Sequence, residues 1–422
     1  MTRLRRHLAD PLFATSYLLL LAAGGAAVLG FAFWIVVARR LPAETFGPAG
    51  AVVSAMVFVS GASATGLGQV LVRFLPATGR GAARLVLSVY AASAAITGAL
   101  ALAAALTAAT WSTKLAFLAH DGRWTAGFVA GSVGLALFAL QDSVLTGIRQ
   151  ARWIPVENVA YGAVRLVAVG LASAGTATVA AAWAVPAAIA VGAVSLLLAV
   201  RLLPRHAAAA AAGAEPRNVT RFALANWLGS ALGLAAVTFT PIAVVAAVDA
   251  RPGSRFYAAW TVMVGLSLIA VSTATSLTSL AAADATALRA ATKRALKQVL
   301  ALSLVAVAVL AVLAPQVMAL FGPDYENAAD TLRLLSLSIL PFGVSMVGLG
   351  VARVRGALGS ILAWEATLCG AVAVLLAVLV PPHGIDGAAL AWLCAQVAAL
   401  AVALAGCLAP VLAPRAPEVR TA

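Results

Sequence analysis

The chain has 422 residues, of which 63% are hydrophobic and only 10% charged, and a formal charge of +14. A soluble domain carries roughly 25% charged and 45–50% apolar residues, and a surface that grows almost as fast as chain length cannot hide the excess from water. The mean hydropathy of +1.02 therefore excludes a soluble enzyme or nucleic-acid binder, and the positive balance reads as basic loops on the cytoplasmic face of a membrane.

In lipid every backbone N–H and C=O must be satisfied internally, which leaves helices or closed barrels. The apolar stretches are continuous over ~20 residues or more, which fits helices; barrel strands would be ~10 residues long and alternating. In chain order, the first predicted span, 16–38, contains no charged residue and ends at Arg39-Arg40. It is too long for a signal-peptide core and lacks a small-residue cleavage site. Spans 48–72, 84–108, 124–148, 156–178 and 180–201 complete a first half. The segment 202–219, with an Ala run and Glu215-Pro216-Arg217, is the longest polar connection in mid-chain. Spans 222–248, 256–280, 296–320, 330–352, 357–380 and 386–409 follow, then a tail at 410–422. The cysteines Cys369, Cys394 and Cys407 all lie in apolar stretches and read as small buried hydrophobes.

With the N-terminus inside, most basic residues fall on one side. Arg3, Arg5, Arg6, Arg73, Arg80, Arg84, Arg149, Arg152, Arg201, Arg205, Arg217, Arg221, Arg289, Lys293, Arg294, Lys297, Arg353, Arg355, Arg415 and Arg420 would be cytoplasmic. The other side holds Arg39, Arg40, Lys114, Arg123, Arg251, Arg255 and Arg333, and Arg165 lies within a span. This bias predicts a multi-pass protein of a bacterial cell membrane with both termini cytoplasmic. Pro42-Ala43-Glu44-Thr45-Phe46-Gly47-Pro48-Ala49 precedes the second span, and Pro252-Gly253-Ser254-Arg255-Phe256-Tyr257-Ala258-Ala259 precedes the eighth, 210 residues later. Ala64, Thr65 and Leu67 pair with Ala274, Thr275 and Leu277 at the same offset. An even number of spans per half makes such repeats parallel, related by an axis along the membrane normal. The expected fold is all-α: about twelve transmembrane helices in two parallel six-helix lobes, 1–201 and 220–409, joined by the cytoplasmic linker 202–219.

The run Arg39 to Gly47 after the first span resembles the start of the polysaccharide-exporter flippases, the O-antigen-type transporters of the MATE-like multidrug/oligosaccharidyl-lipid/polysaccharide (MOP) superfamily. Gly66-Leu67-Gly68 followed by Arg73 is similar to the same family. So are Phe321-Gly322-Pro323-Asp324-Tyr325-Glu326-Asn327-Ala328, Leu332-Arg333-Leu334-Leu335 and Pro341. The resemblance implies a transporter that moves a polyprenyl-diphosphate-linked oligosaccharide from the cytoplasmic to the outer leaflet. Its partners would be membrane lipids, the anionic lipid-linked glycan, and a polysaccharide polymerase and glycosyltransferases acting on the same carrier.

Arg165 is the leading site candidate. A charge near mid-membrane costs ~2.5–3.5 kcal/mol on insertion scales and must face protein or water. Asn158, Tyr161, Gly162, Arg165, Ser173 and Thr176 fall largely on one helical stripe, suited to a cavity that receives a diphosphate. The rival reading pairs Arg165 with a carboxylate such as Asp142. Thr65, Gln69 and Arg73 form a second stripe, and Asn226 with Ser230 a third. Span eight is dense in hydroxyls, at Ser272, Thr273, Thr275, Ser276, Thr278 and Ser279. Asp142 and Glu365 are intramembrane acids and so candidates for H+ or Na+ coupling; the rival role is as partners of Arg149, Arg165 or Arg353. No lysine follows a glycine, so there is no phosphate loop. The four histidines show no zinc-like spacing, so neither a cofactor nor a metal is expected. A cation-coupled multidrug exporter of the same fold would need acid in the cavity, typically from span one, which has none. An enzyme acting on the lipid carrier would need a large outer loop, and those at 109–123 and 320–330 are short.

Overall fold

The computed structural model describes residues 11–79, 81–172, 175–205, 219–283 and 288–412, with side chains throughout these except at 11–24, 26, 111, 219–230, 269 and 272–283. The described residues form helices and turns with no strand. Helices α1 (Pro11–Arg40), α2 (Ala43–Phe74), α3 (Ala82–Trp111), α4 (Gly122–Gly147), α5 (Ile154–Leu171) and α6 (Thr176–Leu197) follow the first six predicted spans. Then come α7 (Val219–Ala247), α8 (Ala250–Ala283) and α9 (Leu288–Ala319). The tenth span is broken at Ser338 into α10 (Ala329–Leu337) and α11 (Ile339–Arg355), three residues before Pro341. The last two spans form α12 (Leu358–Val402), which turns back at Gly384. There φ is 57° and ψ is −133°, a conformation that only glycine adopts without strain. The Ser360 hydroxyl donates to the Gly406 carbonyl at 3.3 Å, closing this hairpin at its open end.

The chain is a polytopic, all-helical membrane protein. Among the described residues, eight helical segments are long and apolar enough to cross a bilayer, with the hairpin Leu358–Leu412 counted once. Large apolar side chains point outward on these helices, as at Leu171 (82% exposed), Val312 (70%) and Leu87 (68%). Contiguous apolar surface on this scale is untenable in water and is what hydrocarbon requires.

The fifth span is shorter than the apolar run suggests. α5 ends at Leu171, capped by the extended Ala172, and Thr176 opens α6. The expected stripe therefore stops at Arg165: Thr176 is on another helix, and Ser173 lies outside the described residues. The sequence between Leu171 and Thr176 carries no charge, so hydropathy does not register the break. The cysteines also depart from expectation. Cys407 is buried, Cys369 half-buried and Cys394 exposed, because a lipid-facing position tolerates a thiol as readily as the interior does.

Packing divides the chain into two compact units, Met1–Ala258 with Leu320–Gly322, and Ala259–Ala319 with Pro323–Ala422. In the first unit, α2 and α4 run through the middle of two buried clusters. One contains Met56, Val59, Phe128, Leu135 and Phe138; the other contains Leu71, Leu75, Leu140, Val144 and Leu145. α7 packs along α2, with Phe239 against Phe58 at 4.6 Å and Leu234 over Gly61. In the second unit, α9 packs on α11 where Gly343 admits Val299 and Ser303. Trp260 meets Trp392 edge-on at 4.8 Å. The boundary between these units falls within α8, because α7 belongs by contact to the first unit.

Lipid offers little hydrophobic drive for helices to associate, so small residues that allow close approach carry the packing. A Cβ on Gly147 would lie 3.0 Å from the Leu71 carbonyl oxygen and 3.1 Å from Leu75 Cβ. Gly147→Leu is expected to cost about 1–3 kcal/mol through overpacking and to lower the thermal midpoint of the purified protein. Gly192→Leu, where no atom lies within 4 Å, leaves that midpoint in place.

Candidate functional site

The site is organised by α5. The helix begins at Ile154-Pro155, with proline in the first turn, where its missing N–H costs nothing. Two turns on, Gly162 lets Leu29 of α1 approach to where a Cβ would meet it at 3.1 Å. This close crossing sets Arg165 beside Gly30 and Phe33 of α1. The Arg165 side chain is 6% exposed. Its guanidinium carbon lies 4.2 Å from the centroid of Trp183 (α6), 4.8 Å from Phe33 and 5.1 Å from Tyr161. Three aromatic faces thus supply the negative potential that a carboxylate would otherwise supply. Each such contact is worth about 0.5–2 kcal/mol, most when desolvated. The Tyr161 hydroxyl donates to the Trp183 main-chain carbonyl at 3.2 Å, which ties the Tyr161 ring to α6. Trp34 continues the aromatic shell, packing on Trp183 and, at 5.0 Å, on Tyr257.

The expected alternative, an ion pair between Arg165 and Asp142, is not formed. Ion pairs form elsewhere, at Glu44–Arg251 and Asp330–Arg333. Asp142 instead receives the Asn158 amide at 3.3 and 3.4 Å, and that amide also reaches the Ile154 carbonyl at 3.0 Å. Asn158 therefore belongs with the acid and not with the guanidinium. The Nε of Arg165 has no hydrogen-bond partner.

Beside Asp142 stands a residue that the sequence reading passed over. Glu157 is 8% exposed, neither carboxylate oxygen has a partner, and the charge of Asp142 acts on it. The buried, unpartnered hydroxyl of Tyr90 on α3 lies within the same electrostatic reach. The available signal was spacing: Glu157, Tyr161 and Arg165 recur every four residues and share one face of α5. One helix face thus carries an unpaired acid near its start and an unpaired base two turns on.

The other candidates lie elsewhere. Thr65, Gln69 and Arg73 share an exposed face of α2. Thr65 bonds its own helix, at the Gly61 carbonyl, and Arg73 lies 5.6 Å from the ring of Phe74. Asn226 and Ser230, and the span-eight hydroxyls from Ser272 to Ser279, fall on side chains outside those described. Glu365 is in the second unit, 8% exposed with Oε2 unpartnered, and the charge of Arg353 acts on it.

The two segments read as an internal repeat pack on each other. Gly47 N–H donates to the Ser254 hydroxyl at 2.7 Å, the Ser54 and Tyr257 hydroxyls pair at 3.3 Å, and Arg251 bonds Glu44 at 2.7 Å. Lys114, between α3 and α4, donates to the Val245 carbonyl at 2.7 Å and to that of Val248. It thereby serves the last carbonyls of α7, which lack helical partners. Burial pulls its ammonium below the ordinary lysine value, and the charge of Asp249 opposes that shift. This end of the first unit is closed by a seam of glycine, hydroxyl and capping contacts.

Neither a protein-family model nor a curated protein sequence matches the chain. Solved structures do. An inward-facing multidrug-resistance MATE-family transporter of the MOP superfamily superposes with a TM-score of 0.69 at 17% identity, covering 90% of this chain and 93% of that one. The lipid II flippase MurJ, in an inward closed conformation, superposes at 0.67 with 15% identity, covering 91% and 86%. A MOP-superfamily transporter from Pyrococcus furiosus, for which reverse polarity of the binding pocket suggests a different function, superposes at 0.66 with 17% identity, covering 91% and 94%. The chain has the twelve-helix fold of MOP-superfamily transporters. At these identities the likeness concerns the fold alone.

The closing seam yields a comparison of magnitudes. A Cβ on Gly47 would lie 2.9 Å from the Ser254 backbone nitrogen, so Gly47→Ala is expected to destabilise by about 1–3 kcal/mol. Glu44→Gln removes an ion pair whose side chains are 51–59% exposed and is expected to cost ~0–1 kcal/mol. Thermal unfolding of the two variants should rank them in that order.

Proposed function

We propose that this chain flips a polyprenyl-diphosphate-linked oligosaccharide from the cytoplasmic to the outer leaflet of a bacterial cell membrane, for cell-surface polysaccharide biosynthesis, by alternating access between two parallel six-helix lobes. The observation that carries this reading is the Arg165 guanidinium, buried with aromatic faces for neighbours and, among the described residues, no carboxylate paired with it. Among side chains, guanidinium is the one suited to a diphosphate: a planar fork that donates two hydrogen bonds at once and survives partial desolvation. The aromatic shell holds the cation while leaving its Nε–H without a partner, so an anionic headgroup can exchange onto it when the cavity opens. Support at the level of fold comes from the superposition on a lipid II flippase and on other transporters. The charge bias supports cytoplasmic termini and delivery by membrane-bound glycosyltransferases on that side, with a polymerase downstream.

Asp142 with Glu157 is the seat we assign to a coupling proton or Na+. A carboxylate with no donor, next to a second one and away from any ion-paired base, is in the state that cation binding relieves. Glu365 is the corresponding candidate of the second unit. The same acids favour a second reading, a cation-coupled exporter of cationic small molecules, for which the multidrug MATE superposition supplies fold-level support.

Arg165→Ala separates the two readings. For a flippase, surface-polysaccharide complementation by a normally expressed variant should fall about 10- to 100-fold, the worth of a charge-assisted hydrogen bond, with Arg165→Lys intermediate. Unchanged export by Arg165→Ala would sink the anionic-substrate reading. For coupling, Glu157→Gln should abolish the dependence of transport on a proton or sodium gradient while leaving substrate binding intact. Efflux of a cationic dye by the wild type, lost in Glu157→Gln and kept in Arg165→Ala, would identify the exporter.

A further inference from the structure

Between α4 and α6 lies a cavity of about 520 Å³, a volume in the range of small-molecule sites. The two helices meet at Gly131, where a Cβ would lie 2.9 Å from Ala184 Cβ and 2.5 Å from Met56 Cε of α2. They part toward Gly127, where a Cβ would meet nothing within 4 Å. Met56 floors the resulting wedge, and exposed small side chains such as Ala181 wall it. The wedge therefore opens sideways, to lipid, and not toward the Arg165 cage.

Its charge is confined to one end. Asp121 and Arg123, both exposed, line the cavity where α4 begins, and the amphipathic ring of Trp124 stands next to them. Asp121 Oδ1 caps the helix by accepting the Arg123 N–H at 2.8 Å, which leaves Oδ2 for a ligand. From this end to the closed point at Gly131 is ten residues, roughly 15 Å of helix at 1.5 Å per residue. That is half of the ~30 Å hydrocarbon core, the depth of a single leaflet. An apolar slot one leaflet deep, with a carboxylate and a guanidinium at its interfacial mouth, has the depth and polarity to seat one acyl chain of a zwitterionic phospholipid beneath its headgroup, the second chain staying in the bilayer. The chain would lie in the slot, the phosphate against Arg123 and the ammonium against Asp121.

We propose that this wedge binds one phosphatidylethanolamine molecule, inserted between α4 and α6. A wholly anionic headgroup would meet repulsion from Asp121, so the paired charges set the preference. The proposal is independent of what the protein transports.

The test uses the full-length protein purified from its membrane, exchanged into mixed phosphatidylethanolamine and phosphatidylglycerol, and examined by native mass spectrometry. The wild type should retain one phosphatidylethanolamine in preference to phosphatidylglycerol. Gly127→Phe fills the slot from a position with free space, and Ala181→Phe fills it from the opposite wall; both should lose the bound lipid. Asp121→Lys should shift the preference toward phosphatidylglycerol by about fivefold, the worth of an exposed ion pair of ~1 kcal/mol. Equal retention of the two lipids by the wild type, or undiminished phosphatidylethanolamine on both filled variants, would overturn the proposal.

Discussion

The contact on which the first unit depends is the backbone-distance approach of α2 and α8 at Gly47 and Gly50. With no Cβ at these positions, the Ser254 hydroxyl reaches the Gly47 N–H and the Tyr257 ring lies over Gly50. Tyr257 so placed packs on Trp34, and Trp34 on Trp183, one of the three rings that hold Arg165. Two absent methyl groups at one end of the unit thus determine the surroundings of a charge deeper in it. In lipid this is how geometry is set, since close packing replaces hydrophobic drive.

Two kinds of buried charge are handled differently by the same helix. Arg165 is surrounded by aromatic faces, which are attractive to a cation, and its Nε–H is left without a partner. Glu157 is given nothing: no donor, and a second carboxylate nearby. A lone unpaired charge of either sign at such depth would be a liability for folding. A pair of opposite charges two turns apart on one helix, kept from neutralising each other, is a configuration that binding can complete. An anion at Arg165 and a cation at Glu157 and Asp142 would each relieve a cost already present in the fold, which is the condition for a ligand to shift a conformational equilibrium.

The superpositions place multidrug exporters and a lipid flippase on the same backbone at nearly the same score. Backbone geometry therefore does not discriminate between the two kinds of cargo; the side chains that line the interior do. In this chain the α1 segment with described side chains contributes aromatic groups, and α5 contributes both charges.

Hydrophobic runs, charge bias and a 210-residue offset were enough to read the all-helical, twelve-span architecture, because hydrocarbon imposes helix length and hydrogen bonding on any sequence that enters it. Arg165 was legible for the same reason: a charge in an apolar run stands out without any knowledge of neighbours. Its partner was not legible. Asp142 was as plausible as any group, and only the crossing of α5 over α1 at Gly162 and Leu29 shows that aromatic rings surround the guanidinium. Glu157 was overlooked since hydropathy places it at a helix end, where acids are ordinary; burial by α4 and the adjacent Asp142 are tertiary facts. The end of α5 at Leu171 was likewise invisible, for the sequence that follows carries no charge or proline to mark it. Composition records which solvent each segment meets, whereas the pairing of charges depends on distances between segments far apart in the chain, and those arise only when the helices pack.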